Sequence, residues 1–338
     1  MAPDAGQPLG YIKGSTHVHT VHSGDSSTAP DQVVRWYEER GYDFIVLTDH
    51  NRVTDFSYDG KLVVLRGIEL TNNPPTCEPE PPEPNGKCRI HVNSLFVTSF
   101  DEYEDGTRPP QIDWREKTSI ERVDLYQAAL TKNKELGGLA QLNHPTWHWG
   151  VDGALLAELG RRGMVLFEVA NTAFSRWNKG DGAYQSTEQL WDAALSDGVL
   201  VFGVASDDAH HYTTAQLESR RKNGQSLYPA GGGWVMVRAE NTPESIRAAL
   251  ERGDFYASTG IVLQSVERVG DRYEIVVSPD SAGEHVFELI GPGGAIVETV
   301  TGDRASFDLS SRTGYVRAVI RNGSGARAWT QPVVLPKN

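Results

Sequence analysis

Through the first 210 residues, apolar runs of strand length keep ending on an acid or a histidine. The first run carries Gly14-Ser15-Thr16-His17-Val18-His19-Thr20, with two imidazoles at i and i+2. A strand sends such residues to one face, so both rings point the same way. Phe44-Ile45-Val46-Leu47 runs into Thr48-Asp49-His50, and residues 62–65 run into Gly67-Ile68-Glu69. Residues 138–143 end on His144-Pro145, and residues 199–205 end on Asp207-Asp208-Ala209-His210. A barrel of strand–helix units gathers its strand ends at one mouth, where residues remote in sequence converge.

The segments between these runs read as helices. Thr28-Ala29-Pro30-Asp31 has a hydroxyl cap, an early proline and an acid, and starts a helix over 31–40. Further helices read at 119–136, 154–162, 187–196 and 243–252, and strands at 11–20, 43–48, 62–69, 91–98, 139–143, 164–170, 199–205 and 231–239. That alternation implies an α/β fold, as a parallel sheet or a closed barrel. A doubly wound open sheet would concentrate ligands at one switch point. Here they end strand after strand, which favours the barrel.

After Ser258-Thr259-Gly260 the rhythm changes. Short apolar segments at 261–269, 273–278, 285–290, 295–300, 306–309, 315–321 and 328–334 are divided by turn residues such as Gly270-Asp271 and Asn322-Gly323. The expectation is two domains: a barrel over residues 1–260 and an antiparallel β-sandwich over 261–338 that contributes no metal ligand.

At 338 residues, 38% hydrophobic and 23% charged, the chain can bury a full core. No run of 18 apolar residues is present, so no membrane span is expected. The formal net charge of −13 argues against a nucleic-acid polymer as partner. It leaves room for a small anionic substrate, because bound cations would reverse the sign locally. The opening Met1-Ala2-Pro3-Asp4-Ala5-Gly6 has neither the basic nor the apolar region of a signal peptide. Cys77 and Cys88, the only cysteines, lie at the ends of one insert rich in Pro and Glu. A disulfide between them is expected, with two free surface thiols as the alternative. That bond favours an extracytoplasmic compartment, periplasmic or secreted, over the cytoplasm.

The ligand candidates are His17, His19, Asp25, His50, Glu69, His91, His144, Asp208 and His210. Imidazole with carboxylate and no thiolate suits Zn, Mn or Fe. Nine donors are too many for one tetrahedral ion, so two or three divalent ions sharing carboxylates are expected. A lone His-x-His carries little weight; the joint pattern carries much.

These residues also resemble a known family. His17-Val18-His19-Thr20 with Ser23-Gly24-Asp25, then Thr48-Asp49-His50-Asn51, Glu69, His91, Asn143-His144-Pro145 and Asp208-Ala209-His210 resemble, in order, the motifs of the PHP (polymerase and histidinol phosphatase) superfamily. Phe255-Tyr256-Ala257-Ser258-Thr259-Gly260 and the ending around Ala328-Trp329-Thr330 are similar to its CehA/McbA-like branch. The resemblance implies a distorted (β/α)7 TIM-like barrel with a trinuclear site. His17, His19, Glu69 and Asp208 would hold the first ion, Glu69 with His91 and His144 the second, and Asp25, His50 and His210 the third. The order Ser23-Gly24-Asp25 departs from the Ser-Asp-Gly of many relatives, which makes His22 a competitor for the place of Asp25.

A hydroxide bridging such ions would attack a phosphorus or carbonyl centre. The residues expected to carry catalysis are Glu69, Asp208, His210, Asp49 and Glu168. Asp49, Asp207 and Glu168 are placed to orient ligand imidazoles, although Asp49 and Asp207 could equally cap turns. Arg52, Arg176 and Lys179 are the cations expected near a substrate phosphate, with Asn171, Trp147, His148 and His211 as further substrate contacts. Trp147, Trp149, Trp177 and Tyr212 could line an apolar pocket or pack the loops. The leading expectation is a metal-dependent phosphoesterase acting on a small molecule. The alternatives are a hydrolase of carboxylic or carbamate esters and a non-catalytic carbohydrate-binding protein.

Overall fold

The fold is described from a computed structural model covering residues 9–104, 106–116, 118–281 and 283–336. Strands β1 (Tyr11–Val18), β2 (Phe44–Leu47) and β3 (Val63–Asn72) lie side by side and parallel. Helix α1 (Pro30–Glu38) makes the first crossover and buries Val33, Val34 and Tyr37. The next strand, β4 (Ile90–Leu95), runs against both β3 and β5 (Leu139–Leu142). An all-parallel order is therefore corrected at this point. Residues 73–89 contain no helix to carry the chain back across the sheet, so it returns as a long hairpin. His91 consequently enters from the start of its strand, whereas Glu69 and His144 arrive from the other direction.

β5, β6 (Leu166–Asn171) and β7 (Phe202–Ser206) are again parallel. Their connections and flanks hold α2 (Arg122–Glu135), α3 (Gly153–Arg161), α4 (Ser175–Asn178), α5 (Thr187–Ser196) and, after β7, α6 (Thr214–Lys222). The chain leaving β7 comes back to β1: Val18 and Ala209 form a parallel bridge, and the His19 amide donates to the Ala209 carbonyl at 3.0 Å. The run from β1 to β7 thus meets itself where His17, His19 and Asp208 stand.

β8 (Trp234–Arg238) pairs with the other edge of β1, and β9 (Phe255–Ser258) follows it after α7 (Pro243–Arg252). Beyond residue 260 every described element of four or more residues is a strand. β10 (Leu263–Val269), β11 (Arg272–Val277) and β14 (Arg304–Asp308) form a 3-stranded antiparallel sheet. β12 (His285–Ile290), β13 (Ile296–Thr301), β15 (Tyr315–Asn322), β16 (Arg327–Thr330) and β17 (Val333–Val334) join the main sheet, which the described residues build from 14 strands. The junction is β9 against β16. The expected change of rhythm near residue 260 is present, but the sheet runs straight across it.

Cys77 and Cys88 are bonded, with Cα atoms 5.9 Å apart. Both are buried among Leu70, Ile90, Val92 and Trp114, so the insert between β3 and β4 is pinned to the core. His285 is buried on β12, 3.7 Å from an Asp303 oxygen, and joins none of the ligand groups described below.

Candidate metal centre

The structure brings all nine ligand candidates into three groups. Ligand atoms of His17, His19 and Asp208 lie within 4.8 Å of one another, as do those of Glu69, His91 and His144, and those of His19, Asp25, His50 and His210. His19 belongs to two groups. Glu69 ties them together: its carboxylate is 2.9 Å from His91 Nδ1, 3.6 Å from His144 Nε2, 3.5 Å from His19 Nε2 and 3.7 Å from His17 Nε2. Asp208 Oδ1 stands 3.3 Å from His17 Nε2 and 3.1 Å from His19 Nε2. Asp25 Oδ2 stands 3.1 Å from His50 Nε2 and 3.2 Å from His210 Nε2. His22 instead meets Thr54 at 3.1 Å and belongs to no group.

The pairing register of β1 against β2 shifts between Ser15 and Val18, which spans His17. Such irregularities re-aim side chains. The backbone is strained here as well. Of seven non-glycine residues with positive φ among those described, Asn51, Phe96, His144, His148, Trp149 and Asp208 are ligands or lie within five residues of one. Conformations of that kind cost about 1–3 kcal/mol each and gather where function over-determines the geometry.

His17 Nε2, His19 Nε2 and Glu69 Oε2 are buried and lack any partner in hydrogen-bonding geometry. Orphaned polar atoms in a dry interior are expensive unless something bridges them. Divalent cations fit that donor set: imidazole nitrogens and carboxylate oxygens facing one another across short gaps, with three carboxylates to neutralise charge.

The electrostatics agree. Burial disfavours a charged His17, yet Asp208, Glu168 and Glu69 outweigh it and hold its pKa well above the usual histidine value. Burial is likewise outweighed at His50, chiefly by Glu69, and at His210, chiefly by Asp25, so both are raised. Burial lowers His19 and His91 to about 4. Burial would raise Glu69, but His50, His91 and His17 keep it well below the carboxylate range. Asp208 and Asp25 are also held low by neighbouring imidazoles against the effect of burial. The three carboxylates therefore remain anionic.

Several residues hold these ligands from behind. Glu168, fully buried, lies 2.7 Å from His17 Nδ1 and accepts from Ser206 Oγ, the His144 amide and Asn171 Nδ2. Asn171 also approaches Asp208 at 3.4 Å. Ser23 meets His19 Nδ1 at 2.9 Å, and Asn73 meets His91 Nε2 at 2.9 Å. Asn143 donates to Glu69 at 3.0 Å and to Asn93 at 2.8 Å. Asp49 touches no imidazole: it accepts from the Thr20 amide, the Thr20 hydroxyl and Thr54, bracing the turn after His19. Asp207 accepts from Ser15, Tyr37 and the Gly231 amide, and burial pushes its carboxyl up to about 7.

The residues expected to meet substrate divide. The Trp147 ring stands 5.8 Å from His91 and 5.1 Å from His144, with Phe174 4.6 Å from His144 on the same wall. His211 accepts the Tyr228 amide on Nδ1, which leaves its proton on Nε2, a buried donor without a partner. The others are engaged elsewhere. Arg52 donates to the Pro109 carbonyl. Arg176 and His148 bind the two oxygens of Glu83 at 2.8 and 2.7 Å, and Trp177 reaches Glu83 at 3.3 Å. Lys179 closes α4. Trp149 stacks on Tyr184, and Tyr212 donates to the His19 carbonyl. Glu83, Tyr228 and Arg89 escaped the sequence reading, because each sits in a polar stretch without periodicity.

No family model matches the sequence, and no curated protein is similar to it. Among solved structures that are similar, one matches over 98% of both chains, at 17% identity and a TM-score of 0.46. It is a two-domain protein from Bacteroides vulgatus ATCC 8482 containing a predicted PHP-like metal-dependent phosphoesterase.

Proposed function

We propose that this chain is a metal-dependent hydrolase of the PHP type, acting as a phosphoesterase on a small molecule. One observation carries the proposal: the buried, partnerless atoms of His17, His19 and Glu69 lie at the junction of the three ligand groups. Residues 1–260 would form the catalytic barrel and residues 261–338 an accessory β-sandwich. His17, His19, Glu69 and Asp208 would hold one ion, His91 and His144 a second with Glu69, and Asp25, His50 and His210 a third. Divalent ions bound there would supply Lewis acidity to water and to the substrate's oxygens.

The chain's own part is positioning and proton control. Glu168 takes the Nδ1 proton of His17 in a hydrogen bond and frees Nε2 to ligate. Asn143 steadies Glu69, and Asn171 links Glu168 to Asp208. His211 offers Nε2–H to a substrate or leaving-group oxygen. Trp147 and Phe174 give an organic group an aromatic wall, and this wall favours the second reading, an aryl carbamate or carboxylic ester.

Protein stripped with chelator and reloaded with Mn or Zn should be assayed on p-nitrophenyl phosphate, bis-p-nitrophenyl phosphate and 1-naphthyl N-methylcarbamate. Metal-dependent turnover of a phosphate ester is expected. Turnover of the carbamate alone would replace the leading reading by the second.

A further inference from the structure

Buried charge is ordinarily paired, because an isolated ion loses more solvation than anything nearby returns. Arg89 departs from that pattern. It is half-buried, its Nε is buried without a partner, and its one protein acceptor among the described residues is the Cys88 carbonyl, 3.5 Å from Nη1. Other arginines of the region reach firmer acceptors, although Arg122 Nε is likewise buried without a partner. Arg52 and Arg108 donate to the carbonyls of Pro109 and His22, Arg122 to those of Gly150 and Pro79, and Arg176 to Glu83.

Its location explains what it waits for. Arg89 stands one residue before β4 and two before His91, and both side chains meet the ring of Trp147. Its guanidinium carbon lies 4.8 Å from the centre of the Trp147 ring, the same ring that packs against His91 and His144. A guanidinium over an indole face is held by a cation–π attraction. Tyr228 lies within electrostatic reach of the guanidinium, and its ring is 5.1 Å from that of His210. Arg89 therefore shares the Trp147 ring with the ligands His91 and His144, and its Nε has no protein acceptor. Cations held by His91 and His144 would repel it, and an anion lying between would reconcile the two.

We infer that Arg89 positions a negatively charged oxygen of the substrate, so that the substrate class is an anionic phosphate ester rather than a neutral carbamate. The inference rests on the metal-dependent hydrolase reading above. A planar guanidinium can grip two oxygens of a phosphoryl group in parallel, while the neutral carbonyl of a carbamate offers it no charge to pair.

The test uses the full chain, stripped and reloaded with Mn, as wild type, Arg89→Ala and Arg89→Lys. Metal content is measured by elemental analysis, phenylphosphonate binding by calorimetry, and kcat and KM on p-nitrophenyl phosphate and 1-naphthyl N-methylcarbamate. Metal content should be unchanged. Phenylphosphonate affinity should fall about 10- to 100-fold in Arg89→Ala, the range for a lost charge-assisted hydrogen bond. Arg89→Lys should recover part of it, the loss of turnover should appear mainly in KM, and the carbamate should be handled as by wild type. Unchanged phenylphosphonate binding in a fully loaded Arg89→Ala overturns the inference while leaving the phosphoesterase reading standing. Metal loss in both variants also overturns it, by making Arg89 a support of the His91 group. A wild type that neither binds phenylphosphonate nor cleaves a phosphate ester, yet cleaves the carbamate, removes the inference and the phosphoesterase reading together.

Discussion

Glu69 faces five of the imidazoles at once, those of His17, His19, His50, His91 and His144, and it is the only glutamate among the nine candidate ligands. Glu69→Gln keeps the shape, removes the charge, and leaves an amide nitrogen that cannot ligate. The variant should stay folded, lose at least one ion, and lose most of its activity. Asp49→Asn should keep its metal, since Asp49 braces Thr20 rather than a ligand ring, and lose about 10- to 100-fold in rate. Elemental analysis of both purified variants separates the two roles; full metal content and wild-type turnover in Glu69→Gln would sink the shared-carboxylate assignment. The metal-free protein makes a second prediction. His17 and His50 have pKa values held well above the usual histidine value, so they are charged at neutral pH, and His210 is shifted in the same direction, whereas His19 and His91, at about 4, are neutral. Ligating imidazoles must be neutral, so loading with Zn at pH 7 should release protons. As pH falls toward 4, His19 and His91 also take up protons, so apparent affinity should drop and proton release should rise. Titration in weak buffer with a pH indicator measures this; loading without proton release refutes it.

At the scale of elements, the sequence spoke clearly where chemistry and periodicity coincide. The helices over 187–196 and 243–252 and the strand over 285–290 begin and end where expected, because caps and turn residues mark their limits. All nine ligand candidates converge because most sit at or near a strand end and strand ends meet in space, while Asp25 reaches in from the loop after β1. Helix α6 went unread: none of its residues is buried, so there is no apolar stripe, and only Thr213 with Gln216 in a capping box announces it. The direction of β4 was illegible too, since an apolar run looks the same whichever way its neighbour points. Glu83 looked like one more solvated acid, yet it gathers His148, Arg176 and Trp177 beside the mouth. That insert hangs from the Cys77–Cys88 bond, between Asn73, which holds His91, and His91 itself. Replacing both cysteines by serine should cost about 2–4 kcal/mol of stability and speed removal of metal by chelator. Thiol titration of the denatured, unreduced wild type should find no free thiol. An unchanged denaturation midpoint in the double variant would show that the bond holds nothing in place.

Across the whole molecule the main sheet joins β1 to the C-terminal strands through β8, β9 and β16, so the two halves share backbone hydrogen bonds. Side chains lock the same seam. Gln331 exchanges two hydrogen bonds with the Gly203 backbone at 2.9 and 2.8 Å. Asp192 on α5 accepts Arg317 Nε at 2.8 Å, Arg317 Nη2 at 2.6 Å and the Tyr315 hydroxyl at 3.0 Å, and both charged residues are buried. No sequence signal couples residues 125 positions apart, so this pair was invisible until the halves were docked. Asp192→Ala would leave the Arg317 cation only the more distant Glu188, 3.9 Å away, and breaking one side of a buried pair costs about 3–5 kcal/mol. An exposed pair serves as control: Arg252→Ala, opposite Asp254, should change stability by less than about 1 kcal/mol. Because the seam is continuous, Asp192→Ala should lower one cooperative urea transition, followed alike by tryptophan fluorescence and far-UV circular dichroism. Two separated transitions, with only one displaced, would mean that the halves fold independently and that the shared sheet transmits no stability between them.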